Sequence, residues 1–102
     1  MARLGAADLA ATTNTDVYTV PANRRATFTV SMCNRTTGDR QVRLALRSGA
    51  LTAADYVEYD VTVPANGVLE RSGLILTSGQ IVTTYASATG MSVVVYGVEE
   101  QV

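Results

Sequence analysis

Glu58 and Asp60 are the side chains whose type and spacing come nearest to chemistry. They lie in Tyr56–Val63, an alternating stretch that reads as a strand with one buried face. Val57, Tyr59, Val61 and Val63 point one way, and Tyr56, Glu58, Asp60 and Thr62 the other. Two carboxylates on one face can hold a hydrolytic water, as in a glycosidase, or a calcium ion. No third ligand stands at matching spacing, and Arg71 or Arg43 can neutralise the pair across strands. A solvated or interfacial salt-bridge face is therefore expected.

The other reactive types are sparse. There is no histidine, which removes the usual general base and the commonest metal ligand. The lone Cys33 has no histidine to activate it and reads as a small, half-buried hydrophobe at a strand end. Glycine-rich phosphate loops are absent. Tyr56, Tyr59, Tyr85 and Tyr96 can stack on bases or sugars, but they fall on different strands with mixed facing. Core and interface packing is the expectation for them. The chain reads as a non-enzyme with no cofactor and no metal.

These residues must be positioned by a single small domain. The chain has 102 residues, 47% hydrophobic and 17% charged, which suits folding around one core. A net charge of −1 offers no field for nucleic acid and no polybasic patch for a membrane. Apolar runs are too short to cross a bilayer. The opening residues lack the apolar core of a secretory signal. Asn34-Arg35-Thr36 matches a glycosylation acceptor, which without such a signal is read as chance. All eight basic residues are arginine, the residue favoured at partly buried or interfacial ion pairs.

Along the chain, residues 1–15 are small and polar and read as an extended N-terminal arm, with Arg3, Leu4 and Leu9 as candidate partner contacts. Residues 16–102 read as the domain. Strands are expected at 16–20, 24–33, 40–47, 56–63, 68–76, 80–87 and 91–98, with Glu99 and Glu100 ending the fold in solvent. Ala26, Phe28, Val30 and Met32 face inward on the second strand, and Val42, Leu44 and Leu46 on the third. Residues 34–39 form a turn cluster. Thr52–Asp55 forms one capped helical turn. Strands between turns every eight to twelve residues predict an all-β, single-domain antiparallel β-sandwich of about seven strands, jelly-roll or immunoglobulin-like. Thr19-Val-Pro-Ala-Asn23 recurs as Thr62-Val-Pro-Ala-Asn66, which predicts one kind of corner used twice to cross between sheets. Sparse charge on the strand faces suits a block that assembles with others, and Tyr56 and Arg71 join the candidate partner contacts.

The runs Tyr18-Thr-Val-Pro-Ala22, Val30-Ser-Met-Cys-Asn34, Ala54-Asp-Tyr-Val-Glu-Tyr-Asp60, Val63-Pro-Ala-Asn-Gly-Val-Leu-Glu-Arg71 and Val94-Val-Tyr-Gly-Val-Glu99 carry a resemblance over residues 16–100. The chain resembles small structural proteins of tailed phages, seen especially in phages of aquatic bacteria. The resemblance implies a virion component made in the host cytoplasm. It would be a capsid decoration (cement) protein, bound to the major capsid protein as a homo-oligomer, with a homotrimer fitting local threefold positions. The alternative it implies is a tail- or fibre-associated module that binds a host surface glycan or other tail proteins. In that case the tyrosines and the 34–39 and 48–55 loops form the binding face. It carries no catalytic pattern.

Overall fold

Arg24–Asn34 shows why this chain makes strands. Ala26, Phe28, Val30 and Met32 are buried at 2% exposure or less, while the residues between them face outward. β-Branched and aromatic residues at period two suit a half-buried pleat. The computed structural model describes residues 2–102. Its strands are β1 (Ala2–Asp8), β2 (Thr15–Thr19), β3 (Arg24–Asn34), β4 (Arg40–Arg47), β5 (Tyr56–Val63), β6 (Val68–Thr77), β7 (Ile81–Ala86) and β8 (Met91–Gln101).

They form two four-stranded sheets, β1-β8-β3-β6 (sheet 1) and β2-β7-β4-β5 (sheet 2), with every strand pairing antiparallel. First pairs with last and inward from there: β1 with β8, β2 with β7, β3 with β6, β4 with β5. A long folded ribbon wrapped into two facing sheets is the jelly roll, the first of the two expected sandwiches. The core lies between the sheets. Tyr18 of sheet 2 meets Phe28 of sheet 1 edge-on there, with ring centroids 6.2 Å apart.

The repeated corners do the same job twice. Residues 20–23 carry the chain from β2 in sheet 2 to β3 in sheet 1, and residues 64–67 from β5 in sheet 2 to β6 in sheet 1. Val20 and Val63 are each 1% exposed, and Asn23 and Asn66 take positive φ of 62° and 57°. Asparagine is one of the few residues that adopts this conformation readily.

Three expectations change. The segment read as an arm is an eighth strand: β1 is the edge of sheet 1, and Leu9 just beyond it is core at 2% exposure. Gly5 permits this docking, since a side chain there would strike the Val17 carbonyl of β2. Second, β8 does not end before Glu99. It runs on beside β3, pairing Ala26 with Glu99 and Arg25 with Glu100. Glu99 accepts a 2.5 Å hydrogen bond from the Tyr18 hydroxyl and so links the sheets.

Third, the facing of β5 reverses halfway. Asp60 has φ +53°, and the register against β4 slips beside it, from Val42–Val61 to Leu44–Glu58. This bulge changes which residues face inward. Val63 is buried, but Val57 and Tyr59 are 40% and 56% exposed and Glu58 is buried.

Candidate functional site

The bulge separates the two carboxylates. Glu58 points between the sheets and meets Arg71 of β6, with Nη2 at 2.5 Å and Nε at 2.6 Å from Oε2. Asp60 points outward and takes Arg43 instead, with Nε–Oδ1 at 2.6 Å and Nη2–Oδ2 at 3.4 Å. The expected shared face is thus replaced by two ion pairs, one internal and one external. No group of three or more His, Cys, Asp or Glu among the described residues could hold a metal ion.

Tyrosines gather on the outer face of sheet 2. Arg43 of β4 and Tyr85 of β7 are neighbours in register. The Arg43 guanidinium lies 4.2 Å from the Tyr85 ring centre and 4.3 Å from that of Tyr59. Cation–π contact on two sides, plus Asp60, pins it. Tyr56 stands against Tyr59 at 85°, with centroids 4.8 Å apart. Three of the four tyrosines expected to face mixed ways therefore share a face. Tyr96 alone lies on sheet 1, where its hydroxyl donates to Glu70 at 3.1 Å, a bond that raises its pKa. The bulge at Asp60 brings Tyr59 out to Arg43, and simple alternation hides it.

Beside these rings is a hollow of about 480 Å³ lined by Leu51, Thr52, Ala53, Tyr56 and Tyr59. The expected helical turn is present as a 3₁₀ turn at Ala53–Asp55. The Thr52 N–H and hydroxyl both donate to Asp55 Oδ2, at 2.8 and 3.1 Å. At the far side of the same face, Arg47 holds Asp16 at 2.7 Å and Thr83 at 2.9 Å. The Arg47 bond holds the Asp16 carboxyl below its ordinary pKa, against the opposing pull of burial and with help from the Thr83 hydroxyl.

The 34–39 loop does not join this face, because it precedes β4 and residues 48–55 follow it. It closes the opposite end through Asn34, which is 1% exposed. The Asn34 amide donates to the carbonyls of Gly38, Val63 and Pro64 at 2.8, 3.1 and 3.2 Å and accepts from the Thr36 N–H and hydroxyl. The apparent glycosylation acceptor is therefore a structural knot.

The outer face of sheet 1 is of another kind. Ile75, Thr27 and Val98 lie side by side across β6, β3 and β8. Below them run Glu70, Ser31, Val94 and Ala6, then Val68, Cys33, Ser92 and Asp8. Val68, Ile75 and Val98 are 57%, 59% and 48% exposed. Most charge stands at the margins, with Arg25–Glu100 at one end, Arg35–Asp8 at the other and Arg3 beside Tyr96 on the β1 edge, while the Glu70 carboxylate reaches in from β6 to the Tyr96 hydroxyl.

The five expected contact residues thus scatter. Arg3 is on the rim of sheet 1, and Tyr56 lines the hollow on sheet 2. Leu4 is half-buried against the core. Leu9 is fully inside and cannot touch a partner. Arg71 is engaged within the chain by Glu58. No family model, curated protein or solved structure matches the chain.

Proposed function

We propose that this chain is a structural protein of a phage virion, a capsid decoration protein that binds the outside of the shell as an oligomer and stiffens it. The observation that carries the proposal is the outer face of sheet 1, where Val68, Ile75 and Val98 stand exposed among small and polar residues and most of the charge lies toward the rim. That distribution matches the anatomy of protein interfaces, which deplete charge from the middle of the patch. Three exposed aliphatic side chains on one sheet face suit a second protein surface better than water. The sequence resemblance supplies the context, since fold alone does not imply function.

The size of the patch bears on the mechanism. Four strands at sheet spacing, covered over roughly 25 Å of their length, give a flat area on the order of 500 Å². A standard stable interface uses about 800 Å² per partner. One such contact is weak, but a symmetric oligomer straddling neighbouring capsomers repeats it, and linked contacts multiply. A trimer provides this at a local threefold position.

The test is removal of the gene from the phage. Particles lacking the protein should lose resistance to heat, and antibody against it should label wild-type particles over the whole shell. Equally stable particles, or label confined to the tail tip, would overturn the reading.

A further inference from the structure

We propose that the hollow lined by Leu51, Thr52, Ala53, Tyr56 and Tyr59 on the outer face of sheet 2 is a binding site for a neutral saccharide. This site does not depend on a shell-binding role. It lies on the sheet opposite the apolar patch and would stay open when sheet 1 is covered.

Shape and walls come first. At about 480 Å³ the hollow falls within the ~300–1,000 Å³ range of small-ligand sites. Tyr56 and Tyr59 form two of its walls nearly at right angles, so they present aromatic surface from two directions. Tyr59 is 56% exposed, a large apolar ring held in water.

The walls are also fixed. Arg43 lies against Tyr59, Tyr85 backs Arg43, and Asp60 anchors the guanidinium. The Thr52–Asp55 bonds hold the opposite rim. Neither side has to be ordered by a ligand, and such preorganisation spares an entropic cost on binding.

The chemistry of the rim selects the ligand. Arg43, the cation at the rings, is already taken by Asp60, so a phosphate or carboxylate would find no free partner in it. The lining residues Leu51, Thr52, Ala53, Tyr56 and Tyr59 bring no cation to hold an anion. The side-chain polar atoms of the lining are the hydroxyls of Thr52, Tyr56 and Tyr59, which exchange hydrogen bonds with a polyol. A ligand with one flat C–H face and a hydroxylated edge fits both the tyrosines and the rim, and a neutral sugar ring is that ligand.

The experiment is saturation-transfer NMR on the purified full-length chain, with methyl glycosides of glucose, galactose, mannose and N-acetylglucosamine and with chitobiose and lactose. At least one sugar should receive saturation and shift amide signals of residues 51–59. Tyr59→Ala should weaken binding about tenfold or more, and Tyr59→Phe should retain it. Ala53→Arg, which fills the hollow from an exposed position, should abolish it. Absence of transfer to every sugar at millimolar concentration would overturn the proposal. So would binding unchanged by Ala53→Arg, or a proline-rich peptide binding in the hollow where no sugar does.

Discussion

Glu58 on the edge strand of sheet 2 reaches Arg71 on the edge strand of sheet 1, and this ion pair closes the open side of the sandwich. The two ends are not equivalent. The Glu58 side chain is 10% exposed and that of Arg71 is 50%. Losing the arginine strands a buried carboxylate, whereas losing the glutamate lets the arginine swing into water. Arg71→Ala should therefore cost about 1–2 kcal/mol, less than for a fully buried pair because Arg71 is half-solvated. Glu58→Ala should cost less than that, and Glu58→Leu with Arg71→Leu together should come out near neutral. Urea unfolding of the three variants measures the order.

Asn34 is a second internal fastening. Its amide serves the corner at Pro64 and the 34–39 turn together. Asn34→Ala leaves buried carbonyls without their donor, at an expected cost of about 2–3 kcal/mol. For a domain of this size the melting temperature should fall by roughly 10–20 °C, read by calorimetry.

Thr84 offers the opposite sign. It is 1% exposed, and its hydroxyl has no hydrogen-bond partner among the described residues. Thr84→Val keeps the shape and removes the unpaired polar atom, so it should stabilise the fold by about 1 kcal/mol. The same melting experiment should show a rise.

The Tyr18–Glu99 contact sets an alkaline limit. Burial, and then the Glu99 hydrogen bond and charge, raise the Tyr18 pKa above its ordinary value of 10.0. A folded-state pKa above the unfolded one means that the phenol's contribution is complete below pH 10. It is lost as pH rises through the raised value, because the unfolded chain gives up this proton first. Stability measured from pH 8 to 12 should fall above 10 in the wild type and fall less in Tyr18→Phe. Asp16 acts at the other extreme: its lowered pKa makes its contribution complete above 3.8 and lost as pH falls through the lower folded value. Asp16→Asn should flatten the acid limb.

Much of this fold is legible from local pattern. β3 and β4 alternate cleanly, and both V-P-A-N corners announce a change of sheet because proline and asparagine act there through their own backbones. β1 is not legible, because Ala2–Asp8 has little bulk or branching and is a strand only through its pairing with the distant β8. β5 misleads for the converse reason. Its sequence alternates without a break across Asp60, while the backbone turns through a bulge that no neighbouring glycine signals. That one slip separates Glu58 from Asp60, buries the first and carries Tyr59 out to Arg43. The pairing of Glu58 with Arg71, one of two arginines considered for it, depends on where two sheet edges meet, which no local pattern encodes.

The most direct measurement of the shell-binding role is re-addition of purified protein to particles that lack it, using wild type and Ile75→Asp/Val98→Asp. Both substituted side chains are exposed in the wild type, so circular dichroism should show an intact fold in the variant. The expected result is that wild type re-decorates the shell and restores its heat resistance, and that the variant, with charge in place of two exposed aliphatic side chains of sheet 1, stays in solution. Re-decoration by the variant to the same extent, or failure of the wild type to bind at all, would contradict it.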